Sequence, residues 1–286
     1  MISDRRRLRF NGRVAHDSLR GLIEAARFTP GDPCAIAAPR ATIFASAEGG
    51  ARDRELVLGE GFTVLDWRGP MAFGFAARDG YVGWVEAAAL WPDAPAPTHR
   101  VRARHSYAKE TPELTTRDEA LWLSHGARVT VTGQHGTWSR IVTHSEDGTR
   151  ALWLPTAHLT PVDRPDTDPV AVAALFLGTP YLWGGNSSFG IDCSGLVQAA
   201  LLACGLPCPG DSDQQAEDLG RALPANTPPQ RGDLLFWKGH VAMAADAAML
   251  IHANAYHMAV AYEPIADAVA RIAAQGDGLV TAHRRL

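Results

Sequence analysis

The chain has 286 residues, of which 46% are hydrophobic and 20% charged, enough apolar material for a packed core and for one to three domains. Lysine and arginine total 27 against 31 acids, and a net charge of −4 argues against nucleic acid or a membrane surface as partner. No apolar run approaches the ~20 residues that span a bilayer. Residues 1–30 read as an N-terminal arm. The dense basic run Arg5-Arg6-Arg7-Leu8-Arg9 reads as a solvated tail, and Asp17 to Arg27 as one short amphipathic helix. Phe10-Asn11-Gly12-Arg13 follows the arginines, where a secretory signal would carry an apolar stretch of about 7–15 residues. Cys34, Cys193, Cys204 and Cys208 are too few and too unevenly spaced for a disulfide framework. The expected compartment is therefore a reducing cytoplasm. Cys204 and Cys208 lack a second pair of zinc ligands nearby and read as buried side chains, so no metal is expected.

Two proline-rich stretches, Trp91 to Thr98 and Pro161 to Pro169, punctuate the chain, because proline lacks a donor and suits connectors. Residues 31–97 carry short strand-like runs: Glu55 to Leu58, Phe62 to Leu65 and Tyr81 to Val85. Residues 98–164 repeat the theme with Arg128 to Thr132, Thr137 to Val142 and Ala151 to Pro155. In both blocks an aromatic strand leads into a short turn and a closing apolar residue: 83–90 in the first, 152–159 in the second. Each block resembles a small bacterial SH3-like β-barrel.

From 165 to 286 the texture changes to helices followed by strands. Asp168 can cap a helix, Pro169 fits its first turn, and Gly178 stops it. Apolar residues at helical spacing from 194 to 204, closed by Gly205, put Cys193 at a helix N-terminus. There the helix dipole and unpaired N–H groups favour thiolate and could hold a developing oxyanion. A nucleophilic thiol needs a base. Leu234 to Trp237 reads as a buried strand, Lys238-Gly239 as a tight turn, and His240 as the start of a second strand. Met249 to Asn254 makes a third, and a hairpin turning near Asp246-Ala247 brings His252 close to His240, as a base and the group that orients it.

Four ordered blocks, Thr179-Pro180-Tyr181-Leu182-Trp183-Gly184-Gly185, Asp192-Cys193-Ser194-Gly195-Leu196-Val197, Arg231-Gly232-Asp233-Leu234-Leu235-Phe236 and Gly239-His240-Val241-Ala242, followed by Ile251-His252-Ala253, resemble the NlpC family of cysteine peptidases. The resemblance implies an α+β chain: a papain-like cysteine peptidase domain preceded by two small SH3-like barrels. It implies Cys193 as nucleophile, His240 as base, His252 as the residue holding the other nitrogen of His240, and Tyr181 lining the oxyanion site. Asp192 and Ser194, flanking the nucleophile, are assigned to substrate.

Two SH3-like modules before the peptidase resemble the murein-recycling γ-D-glutamyl-L-diamino acid endopeptidases, which release L-Ala-γ-D-Glu from peptides with a free N-terminal L-alanine. On that likeness Asp211 and Ser212 bind the substrate ammonium, which needs a carboxylate if it is to be buried. A helix cap with Gln215 three residues on fits Ser212 equally well. Glu60 and Tyr81 of the first barrel are carried over as the wall of the amine pocket. The implied partner is a small murein peptide, with no cofactor. His257 and His283 read as surface residues. The competing functions are a papain-like amidase or acyltransferase acting on another cell-wall bond, and a non-catalytic binder of cell-wall peptides.

Overall fold

The structure is a computed structural model that describes residues 4–145, 147–224 and 226–286. The chain divides into two compact units, Met1–Arg164 and Pro165–Leu286.

In the first unit the arm forms strands β1 (Val14–His16) and β2 (Arg27–Thr29), paired in parallel. The helix expected over 17–27 is absent; only a single 3-10 turn, Asp17–Leu19, is present. The His16 ring accepts from the Ser18 N–H, and Gly21 then takes φ +76°, a left-handed conformation that ends helical growth. The basic run is not a free tail either. Arg5 forks onto Asp53 at 2.6 and 3.1 Å, the Arg9 guanidinium lies 4.0 Å over the Phe75 ring, and the Val82 N–H donates to the Arg6 carbonyl. A charge run stays solvated only where no complementary acid or aromatic face is offered to it.

Seven strands follow: β3 (Asp32–Ile36), β4 (Arg40–Phe44), β5 (Arg52–Val57), β6 (Gly61–Arg68), β7 (Met71–Ala76), β8 (Val82–Glu86) and β9 (Leu90–Pro92). Their order in the sheet is β5-β4-β8-β7-β6-β3-β9. The next seven are β10 (His99–Val101), β11 (His105–Lys109), β12 (Glu119–Ser124), β13 (Arg128–His135), β14 (Trp138–Ser145), β15 (Gly148–Pro155) and β16 (Leu159–Pro161). Their order, β12-β11-β15-β14-β13-β10-β16, repeats the first strand for strand. Even the irregularities recur: β4 and β11 slip register at Ile43/Phe44 and Ala108/Lys109, β6 and β13 at Val64/Asp66 and Val131/Gly133. Such bulges bend a strand and let a small sheet curl on itself. The two sheets share a junction. Val57 and Leu58 pack into the second core, and the Arg128 N–H donates to the Leu58 carbonyl at 2.7 Å.

In the second unit, α1 (Pro169–Ala174) starts where Asp168 accepts from the Val170 and Ala171 N–H groups. The hairpin β17 (Asn186–Ser187) and β18 (Gly190–Ile191) leads into α2 (Cys193–Ala203), followed by α3 (Ser212–Asp218). Strands β19 (Arg221–Ala222), β20 (Leu234–Trp237), β21 (His240–Ala244), β22 (Met249–Asn254) and β23 (Ala259–Pro264) come next, then α4 (Ile265–Ala274) and β24 (Ala282–Arg285). The sheet order is β19-β24-β20-β21-β22-β23. Alternate side chains sort to two cores: Val241, Met243 and Ile251 pack with Leu196, Val197 and Leu201 of α2, whereas Ala242, Ala244 and Leu250 pack with Ala268 and Ile272 of α4. Among the described residues no helix is long and apolar enough to cross a membrane.

The barrel junction depends on Gly59. Its φ is +77°, and a Cβ there would stand 2.0 Å from the Arg128 carbonyl oxygen. Gly59→Ala is expected to cost about 2 kcal/mol or more, combining a forbidden dihedral with a backbone clash. Denaturant unfolding of the full chain checks this, and an unchanged midpoint would mean the junction yields freely.

Candidate active site

Cys193 is the first residue of α2, and Asp192 is its N-cap. Asp192 Oδ1 accepts from the Gly195 N–H at 2.7 Å and from the Ser194 hydroxyl at 3.2 Å, while Oδ2 accepts from the Gly184 N–H at 2.9 Å. One carboxylate thus ties the helix start to the loop that precedes it. That loop closes tightly: a Cβ on Gly185 would lie 2.5 Å from the Gly190 carbonyl oxygen. Asp192 and Ser194 are both buried in this arrangement.

The segment 178–182 stitches the residues leading into Cys193 to the strands opposite. On one side the Ile191 N–H donates to the Pro180 carbonyl and the Leu182 N–H to the Ile191 carbonyl, each at 3.0 Å. On the other, the Tyr181 N–H donates to the Met258 carbonyl, and residues 178 and 179 exchange backbone bonds with Val260. Cys193 shares one apolar core with Val241 and Ile251, the sequence neighbours of His240 and His252, and Tyr181 packs against that core. Tyr181 and His240 also line one cavity.

Met243 pairs with Ile251 and Ala244 with Leu250, so counting along the ladder sets His252 across from Ala242, diagonal to His240. His252 pairs with Ala261 and Leu250 with Glu263, which sets Glu263 diagonal to His252 on the next strand. The side chains therefore form a row across β21, β22 and β23. His240 Nε2 and His252 Nδ1 are 3.0 Å apart, and His252 Nε2 and Glu263 Oε2 are 3.0 Å apart. Arg271 of α4 grips Glu263 through Nε at 2.9 Å and Nη2 at 2.8 Å.

Asp211 is the N-cap of α3 but makes no side-chain capping bond. Ser212 begins the helix, and Gln215, rather than closing a capping box, donates from Nε2 to the carbonyls of Ser194 and Pro209, each at 2.9 Å. The Asp211-Ser212 corner is thereby tied to the first turn of the nucleophile's helix. In the other unit Glu60 is buried: Arg78 contacts both its oxygens at 3.0 and 2.8 Å, and Oε2 also accepts from the Val57 N–H. Tyr81 is buried in the first barrel's core.

A model of the NlpC/P60 family matches residues 178–271, which hold Tyr181, Cys193, His240, His252 and Glu263, and a model described as the bacterial dipeptidyl-peptidase SH3 domain matches residues 43–90. The second unit carries an NlpC/P60 domain. Over 93 residues the chain is 39% identical to the gamma-D-glutamyl-L-lysine dipeptidyl-peptidase of Bacillus subtilis, a match covering 30% of this chain and 31% of that one. Over 85 residues it is also 39% identical to dipeptidyl-peptidase 6 of Lysinibacillus sphaericus, with the same two shares. The matches thus span under a third of the curated relatives' length. Among solved structures, an NlpC/P60 family protein from Bacillus cereus superposes with a TM-score of 0.74 at 21% identity, covering 88% of this chain and 99% of that one, a likeness of fold.

Within the NlpC/P60 domain, the electrostatics follow from burial. Burial pushes the His240 pKa down to about 3 and that of His252 to about 4, outweighing the attraction of Glu263. The Arg271 guanidinium holds Glu263 below the usual carboxylate range, so it is an anion and can only accept. That orders the protons: His252 Nε2 carries the hydrogen given to Glu263, His252 Nδ1 accepts from His240 Nε2–H, and His240 Nδ1 is left with its lone pair. This is the tautomer a general base requires.

Glu263 and Arg271 had no signal in the sequence, where an acid before Pro264 reads as solvated; only the register of β22 on β23 reveals them. His283, expected at the surface, is buried and bonds through Nε2 to Asp233 at 2.8 Å. Asp233 also receives Arg285 at 2.7 Å through two nitrogens. Burial raises the Asp233 pKa, but Arg285, the Gln230 N–H and His283 outweigh it and hold the carboxyl at about 2. His257 is exposed, as expected, and donates its backbone N–H to Asn254. His252, His257 and Glu263 offer ligand atoms within 4.8 Å of one another. The Arg271 cation already occupies Glu263, so this set suits the imidazole chain better than a metal.

Two outcomes follow. Glu263→Ala is expected to lower kcat about 10- to 100-fold, the range for outer groups that orient a working imidazole, with KM little moved and partial rescue in Glu263→Gln. Steady-state kinetics decides, and a loss confined to KM would remove Glu263 from the chain. Second, His240 and His252 have folded-state pKa values of about 3 and about 4 against 6.5 unfolded, so stability is full above pH 6.5 and drains as pH falls towards 4. Each contributes about 1.4 kcal/mol per pH unit in that window. Denaturant unfolding of Cys193→Ala at pH 7 and pH 5 should show the drop, and His252→Asn should flatten it.

Proposed function

We propose that the chain is a cysteine endopeptidase that hydrolyses the γ-D-glutamyl–diamino acid bond of murein peptides bearing a free N-terminal L-alanine, releasing L-Ala-γ-D-Glu in cell-wall peptide recycling in the cytoplasm. The observation that carries it is the ordered chain His240–His252–Glu263, in an NlpC/P60 domain whose Cys193 opens a helix. Relatives named for a gamma-D-glutamyl-L-lysine bond, and the match of residues 43–90 to an SH3 domain named for dipeptidyl-peptidases, support that bond over others.

The chemistry runs in two steps. Neutral His240 takes the Cys193 proton as the sulfur attacks the γ-D-glutamyl carbonyl. The oxyanion develops beside the N-terminal N–H groups of α2 and the Tyr181 hydroxyl. The imidazolium, oriented by His252, then protonates the departing amine, and water hydrolyses the thioester by the reverse proton path.

The substrate's ammonium falls to Asp211 and Ser212. Glu60 is the poorer candidate for that role, because its carboxylate is already neutralised by Arg78.

The test offers L-Ala-γ-D-Glu-diaminopimelate beside its N-acetylated form, with Cys193→Ala as control. Cleavage of the free amine only, lost in Cys193→Ala, is expected, and Asp211→Asn should raise KM about tenfold or more. Equal rates on both peptides would overturn the amine requirement.

A further inference from the structure

A cavity of ≈ 320 Å³ lies within the first unit, where the two barrels meet. Ile36 and Leu58 of the first barrel and Val129 and Val142 of the second contribute apolar lining. Trp91 of β9 and His144 of β14 meet across the junction, ring centroids 5.6 Å apart and planes tilted by 32°. Small-ligand pockets have this character: apolar and aromatic clefts between domains, with a few polar groups that fix orientation. The size is at the lower end of their range and suits a small molecule rather than a polymer strand.

One wall is the proline-rich connector, residues 93–97, and it is held in place. Pro92, Pro95 and Pro97 each fix φ. The Thr130 hydroxyl donates to the Ala96 carbonyl at 2.9 Å and lies 3.2 Å from that of Pro95, while the Val131 N–H donates to the Thr98 hydroxyl oxygen at 2.9 Å. Asp93 turns the chain with φ +53°, a left-handed conformation that aspartate tolerates better than most residues. The wall is therefore built before any ligand arrives.

The charges in the lining define what could fill it. Cys34 is not among them: burial, with Asp32 and Asp93 nearby, pushes its thiol up to about 11, so it stays neutral and serves as apolar wall. Asp93 and Arg128 line the same cavity, and neither side chain has an ion-pair or hydrogen-bond partner among the described residues. A ligand that fills the apolar space strips water from both, and each charge then needs an opposite one in exchange. A neutral apolar molecule would strand two charges, and a simple acid or amine would strand one. The guanidinium fork of Arg128 matches a carboxylate, and the Asp93 carboxylate accepts from an ammonium.

We propose that the cavity between the barrels binds a short peptide with apolar side chains and both ends free, its carboxylate at Arg128 and its ammonium at Asp93. The site belongs to the first unit, so it goes beyond the peptidase function proposed above and does not rest on it.

The probe is the dipeptide Leu-Phe, offered to the full chain carrying Cys193→Ala beside N-acetyl-Leu-Phe, Leu-Phe amide and Gly-Gly. Indole N–H resonances are followed, that of Trp91 for the cavity and that of Trp183 for the active-site cleft. Leu-Phe should shift Trp91 saturably, with a dissociation constant below about 1 mM. Each of the other three peptides should bind at least about tenfold more weakly. Asp93→Asn, which keeps the left-handed turn accessible, should erase the preference over the N-acetyl form and keep that over the amide. Arg128→Gln, which leaves the backbone bond to Leu58 in place, should do the reverse. Each variant is read as a ratio between two ligands, which a general loosening of the junction would not move selectively. No saturable shift at Trp91, shifts at Trp183 alone, equal affinity for the four peptides, or ratios unmoved by both variants would overturn the site.

Discussion

The hydrogen bond between Glu263 and His252 is the constraint from which the active-site geometry follows. A carboxylate clamped by Arg271 can only accept, so it sets the direction of every proton behind it, through His252 to His240. The row spans three neighbouring strands, and side chains alternate faces along each. A slip of one residue in either ladder would turn a member of the row to the opposite side of the sheet. The apolar partners enforce the register: Leu250 and Ala244 must meet Ala268 and Ile272 of α4, while Ile251 and Met243 must meet α2. The helix that supplies Arg271 is thus the helix whose packing fixes where Glu263 stands.

Two neutral imidazoles, one fully buried and one partly so, are a liability as well as a device. Burial denies them protons that water would supply below pH 6.5, and the folded state forgoes that binding energy as acidity rises. The same denial keeps His240 as a base at neutral pH. A proton arriving on His240 would enter a chain already pointing at an anion, so the new charge is met through His252 by Glu263 and not by reorganised water. The neutral, ordered imidazoles and the acid lability share one cause.

The parts legible in the sequence are those fixed by neighbours along the chain. Asp192 before an apolar helical pattern gives the start of α2, Lys238-Gly239 between two apolar runs gives the turn that puts His240 first on its strand, and Met249 to Asn254 is a strand with the bounds expected. The matched aromatic strands of residues 31–97 and 98–164 announce that a sheet repeats, while the order of its strands comes from the structure. What was hidden depends on pairing between distant segments. Glu263 and Arg271 look solvated until β23 is registered on β22, and His283 looks like a terminal surface residue until β24 inserts beside β20 and meets Asp233. Asp17 to Arg27 carried an apparent helical period, but Gly21 and the paired strands at its ends prevailed over eleven residues of weak propensity.

Gln215 shows how a local signal can be right about the residues and wrong about their use. Ser212 with a glutamine three positions on has the form of a capping box, and the helix does begin there. Yet Gln215 is fully buried, and its amide bridges the carbonyls of Ser194 and Pro209. A buried amide with two carbonyl partners is directional where an apolar contact is not. It fixes the start of α3 relative to the start of α2 to within hydrogen-bond tolerance, roughly a few tenths of an ångström. The corner bearing Asp211 and Ser212 is therefore held by a polar strut one residue from Cys193. A capping box would have positioned the helix only against itself, whereas this bridge ties it to the first turn of α2.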